Sequence, residues 1–153
     1  MLVRQSKVIA NRSTHPHGTN SRFQCAITAE REGQNARQIL EAISSKVGNT
    51  EIGISVVTLI ELAHGAARAE APQRKAKRHQ FIQELLVALP VHPVTVPVAL
   101  RTGQMDGENQ AKGIRLPLSD LLIGVTALEL GYGVATGNLR HFGMISGLAV
   151  VRI

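Results

Sequence analysis

From residue 27 onward, short β-branched runs alternate with longer runs of helical period, and that alternation leaves few architectures open. Residues 35–47 place Ile39, Leu40 and Ile43 on one helix face, and Gly48 breaks the pattern. Residues 51–57 (EIGISVV) read as a buried strand. Helix is predicted for 58–67, opening at a Thr58 cap, and for 71–89, with Phe81, Ile82, Leu85 and Leu86 inward. Pro90 and Pro93 bracket a short strand at 91–94, and a helix over 96–112 ends at Gly113. Residues 118–130 form a strongly apolar helical run, stopped by Gly131 in the left-handed conformation. Strands at 132–136 and 148–152 flank one turn at 138–142. Buried strands separated by helices imply an α/β fold, with a mostly parallel sheet covered on both faces.

The first 26 residues differ. They carry Arg4, Lys7, Arg12 and Arg22 but no acid, and they hold no sustained period of either kind. They read as a basic, poorly packed arm ahead of a single domain at 27–153. A secretory signal is excluded by the lack of an apolar core, and the amphipathic pattern is poor for a transit peptide. The arm also distorts the charge. The net charge is +6, yet without the arm 13 basic residues face 11 acidic ones. A polyanion partner therefore cannot be argued from the isoelectric point alone. Aromatics at 3%, with no Trp, argue against a base-stacking platform. The single Cys25 excludes an internal disulfide, and a reducing cytoplasm is the natural setting. No run is long and apolar enough for a membrane span.

Three segments carry candidate chemistry. In Ile54-Ser-Val-Val-Thr-Leu-Ile-Glu61, a strand runs into a helix and one carboxylate appears among apolar neighbours; it faces either solvent or a cleft. In Leu116-Pro-Leu-Ser-Asp120, Ser119 would cap a helix whose positive end suits Asp120, and such helix starts also face ligand sites. In Gly133-Val-Ala-Thr136-Gly-Asn138, a strand ends in polar residues where an open parallel sheet has its crevice, although Thr-Gly-Asn also makes an ordinary turn. The basic run Arg74, Lys75, Lys77 and Arg78 is a solvated helix face, or else a contact for an acidic protein tail or RNA phosphates.

In order and spacing, these segments resemble the PIN-domain ribonucleases of the VapC toxin type. The resemblance rests on Ser-x-x-Thr-x-x-Glu61-Leu-x-x-Gly, then Asp120-Leu-Leu-Ile-x-x-Thr-Ala, then Ala135-Thr136-x-Asn138-x-x-His-Phe142, and a closing Gly147-Leu-x-Val-Val. It implies a three-layer α/β/α fold and Mg²⁺- or Mn²⁺-dependent endoribonuclease activity. It also implies a cognate antitoxin and a homodimer. Carried over by motif, Asp120 and Glu61 are the metal-site acids, and Thr136 and Asn138 order the site's hydrogen bonds. Such chemistry suits clustered carboxylates, because a hard divalent ion activates water and offsets charge on the phosphate. Where relatives often carry Asp before the Phe, this chain has His141.

A second departure is larger. The family pattern opens with a strand ending in Asp, and counting back from Ile27 puts that Asp at Arg22, which cannot ligate a metal. The genetic code permits a frameshift here. Codons exist for residues 17–26 that, read one base later, spell Met-Val-Leu-Ile-Leu-Asp-Ser-Ser-Val. With an acid at this place the chain is a nuclease. Without one, it is an inactive scaffold that only binds an antitoxin or RNA. A third class, a small-nucleotide binder, lacks the Gly-rich phosphate loop it needs.

Overall fold

The computed structural model describes the backbone of residues 22–26 and all of residues 34–153. Five strands form one sheet in the order β3-β2-β1-β4-β5, and all four described pairings are parallel. The strands are β1 (Arg22–Ala26), β2 (Glu51–Ser55), β3 (Val91–His92), β4 (Gly133–Thr136) and β5 (Val150–Arg152). The helices are α1 (Ala36–Val47), α2 (Val56–Ala67), α3 (Pro72–Ala88), α4 (Val96–Ala111), α5 (Leu118–Leu130) and α6 (Leu139–Phe142).

The central strand corrects the expected boundary. β1 lies inside the segment read as an arm, yet its backbone pairs with both β2 and β4. Its local sequence shows no alternation, so only the two flanking partners define it. The remainder of the arm, residues 1–21, and the 27–31 segment used for counting lie outside the described residues.

Two apolar clusters sandwich the sheet. Ile39 and Ile43 of α1, Leu62 of α2 and Leu85 of α3 pack with Ile54 and Ala135. Leu121, Ile123 and Ala127 of α5 pack with Val134, Phe142 and Ile145. Neighbouring residues Val134 and Ala135 enter opposite clusters because the pleat alternates side chains between faces. The expected α/β/α layering follows.

Several ends differ from the sequence reading. α1 begins with a full capping box: Asn35 accepts from the Gln38 N–H and Gln38 reaches back to the Asn35 N–H. The α2 cap is Ser55, which accepts from the Val57 N–H, and Thr58 is buried inside the first turn. Helix α5 begins at Leu118, so Ser119 is not its cap. Leu86 faces solvent while Leu85 is buried, because only one of two adjacent helical positions can face the layer beneath. Gly131 takes φ 70°, ψ 28°, the expected left-handed stop.

Gly53 makes a testable contact. A Cβ there would sit 2.6 Å from His92 Nε2 and 3.3 Å from the Pro90 carbonyl oxygen. The ring of His92 is packed edge-on to Tyr132, with centroids 5.2 Å apart, and cannot retreat freely. Gly53→Ala is expected to cost about 1–3 kcal/mol in chemical denaturation, the range for overpacking a filled core. A second change, His92→Ala, should recover part of that loss; no recovery would mean the His92 contact is not the cause.

Candidate active site

The strand order reverses between β1 and β4: the chain builds outward through β2 and β3, then returns to add β4 and β5 on the other side. Ligands of open parallel sheets bind at such a reversal, beyond the carboxyl ends of the strands. The chemistry-bearing residues gather at that end. Thr136 is the last residue of β4 and is fully buried. Asn138 follows it, and its backbone N–H donates to Thr136 Oγ1 at 3.0 Å, which fixes the turn. Asp120 lies in the first turn of α5, where the helix dipole favours a negative charge.

Asp120, Asn138 and His141 form one compact set. His141 Nδ1 lies 2.6 Å from Asp120 Oδ2, and Asn138 Nδ2 lies 3.4 Å from the same oxygen. Asn138 Nδ2 is also 2.9 Å from His141 Nδ1. Three atoms this close cannot all be matched. An imidazole Nδ1 that donates to Asp120 has no lone pair left for the Asn138 N–H. Turning the amide over lets its oxygen accept from His141, but then two oxygens face each other at Asp120. The Asp120 and His141 side chains are 14% and 30% exposed, so bulk water does not fully screen the charge.

Glu61 sits in the second turn of α2, which packs against α5. It is half-buried and makes no hydrogen bond or ion pair among the described residues. Three residues earlier on the same helical face, the Thr58 hydroxyl is buried, also with no partner among the described residues. Of the four residues singled out in the sequence, Asp120, Thr136 and Asn138 are joined by hydrogen bonds. Glu61 is not bonded to them.

The parallel register sets Arg22 and Thr136 at opposite ends of the sheet. Ala26 pairs with Thr136 at the carboxyl end, whereas Arg22 pairs with Glu51 at the opposite end of the sheet. Four residues of strand separate the two positions by about 13 Å. Arg22 therefore does not take the place of a ligand beside Asp120, as counting from Ile27 suggested. The position level with Thr136 is Ala26. Sequence reasoning missed this because register depends on pairing across strands, and β1 has no pattern of its own. It also treated His141 only as a lost acid, when its ring nitrogen in fact engages Asp120.

The sequence profile of the PIN domain matches residues 25–144. The chain belongs to the PIN-domain family. The match to this PIN domain begins at residue 25, so most of β1 precedes it. Nucleases of the family generally depend on a divalent metal. A tRNA(fMet)-specific endonuclease VapC of Salmonella typhimurium is 29% identical over 126 residues, covering 82% of this chain and 89% of its own. The crystal structure of DNA-bound VapBC from Salmonella typhimurium superposes with TM-score 0.65 at 27% identity, covering 88% of this chain and 98% of that one. VapBC-5 of Mycobacterium tuberculosis, described as a member of the VapBC family of toxin–antitoxin systems, gives TM-score 0.57 at 25% identity, covering 67% and 80%.

The donor types suit a hard divalent ion, although Glu61 is not joined to the Asp120–Asn138–His141 set. Asp120, Glu61 and the Asn138 carbonyl are oxygen donors, and Mg²⁺ keeps several of its waters and needs few protein oxygens. The described residues contain no group of three or more potential metal-holding His, Cys, Asp or Glu side chains. No described helix is long and apolar enough to cross a membrane.

Proposed function

We propose that this PIN domain is a Mg²⁺- or Mn²⁺-dependent endoribonuclease, the toxin of a toxin–antitoxin pair. The observation that carries the reading is the Asp120–Asn138–His141 set beside Thr136, at the strand-order reversal of a PIN-domain sheet. The similar proteins support the substrate class and the partner: one is named as a tRNA endonuclease, and another belongs to a toxin–antitoxin family. A small antitoxin protein, a homodimeric assembly and a cytoplasmic place belong to the same reading.

In this mechanism, Asp120 and Glu61 would hold the metal, and the Asn138 amide N–H donates toward Asp120 Oδ2. The bound ion would activate water and offset charge on the phosphate. Thr136 holds the Asn138 backbone and so keeps the amide aimed at Asp120. His141 holds a proton at Nδ1 against Asp120 Oδ2, which fixes the carboxylate's orientation.

The test is incubation of the purified chain with RNA, tRNA first, in Mg²⁺ or Mn²⁺. Slow cleavage that EDTA stops is the expected result, because the opening acid of the family pattern is absent from this chain. Equal cleavage with and without EDTA would overturn the metal reading.

A further inference from the structure

Positive charge concentrates on one hairpin. Between residues 64 and 79, Arg68, Arg74, Lys75, Lys77 and Arg78 face a single acid, Glu70. That stretch accounts for +4 of the chain's net +6. It joins the end of α2 to the first two turns of α3.

The hairpin shares a helix face with Glu61. Glu61, Gly65 and Arg68 recur at helical spacing and share one face of α2. The Arg78 guanidinium donates to the Gly65 carbonyl, which docks α3 against that face. Arg74 and Lys75 lie one turn earlier on the same side of α3 as Arg78. A basic strip therefore begins at Arg68, about two helical turns from Glu61, and continues onto α3.

Its chemistry selects the partner. Arg68, Lys75 and Lys77 are exposed, and their side chains make no hydrogen bond or ion pair among the described residues. No exposed large hydrophobic residue lies between Glu61 and Leu85. A protein interface needs an apolar core, which this strip lacks, whereas a phosphate backbone needs only spaced cations. The start of α3 has no acid in its first turn and no side-chain cap, so these cations repel one another and the helix's positive end. A polyanion relieves that repulsion.

We infer that the α2–α3 hairpin is a backbone track for single-stranded RNA, with Arg68, Lys75 and Lys77 contacting phosphates and leading the strand to Glu61. The inference rests on the ribonuclease reading, but it is read out by binding, so its failure is distinct from a failure to cleave. With so few aromatics, the track grips phosphates rather than stacking bases, and it tolerates sequence.

The experiment measures binding of the full chain to a labelled single-stranded RNA oligonucleotide of mixed sequence in EDTA, across a salt series. The triple variant Arg68→Gln, Lys75→Gln, Lys77→Gln should bind about 10-fold or more weakly at low salt. Its log–log salt slope should fall by about 2, as expected for three lost phosphate contacts on a single strand. A control variant, Lys46→Gln, Lys112→Gln, Arg115→Gln, removes equal charge and should bind nearly as the unaltered chain does. Circular dichroism checks that each variant is folded. Equal weakening in the control would overturn the track, because bulk charge then explains the binding. Unchanged RNA binding with lost binding of a polyglutamate peptide would also overturn it, assigning the hairpin to an acidic protein partner.

Discussion

An Asp120→Asn chain is expected to cut RNA at least about 100-fold more slowly than the chain as it stands, the scale for losing a charge at a metal centre. The substitution keeps the side chain's shape and the helix start. Losing a carboxylate at this largely buried helix start costs up to about 2 kcal/mol of stability, less than a folded domain's total, so unfolding does not explain such a loss. His141 would still find an oxygen to bond, because an amide carbonyl replaces the carboxylate. What disappears is the negative charge that a divalent ion needs. Denaturation curves run beside the cleavage assay separate the two effects. Near-equal cleavage by folded Asp120→Asn would remove Asp120 from the chemistry.

The opposite change should raise activity. Ala26→Asp places a carboxylate at the carboxyl end of the central strand, level with Thr136. An added carboxylate at the sheet end where Thr136 and Asp120 lie is expected to increase metal-dependent cleavage by about 100-fold, the inverse of removing one. Arg22→Asp, the repair suggested by counting along the chain, should do far less. Its backbone is level with Glu51, about 13 Å along the strand from Ala26. The two variants separate the register from the count. Strong activation by Arg22→Asp with none by Ala26→Asp would mean that the acid belongs where counting placed it.

Much of the architecture was legible because it is local. The α5 run and its Gly131 stop are written in consecutive residues, as is the β-branched run at β2. Asp120, Thr136 and Asn138 were legible as a group through their order and spacing. The rest depends on contacts between distant segments. β1 has neither alternation nor a strong β-branched run, and its place in the sheet comes from β2 and β4. The Ser55 cap was hidden because Thr58 is an equally good capping residue type, and only backbone geometry distinguishes them. His141 read as a lost ligand because a residue's type does not reveal which atom its ring nitrogen meets. The hairpin's bearing on the site needed the Arg78–Gly65 contact, which joins residues 13 apart.

Metal binding tests the proposed centre without relying on catalysis. Mn²⁺ is titrated by calorimetry into the chain as it stands, into Ala26→Asp, and into Ala26→Asp combined with Asp120→Asn. The account predicts tighter binding in the first variant and its loss in the second. Three superimposable isotherms would contradict a metal centre built on Asp120 at the carboxyl end of β1 and β4.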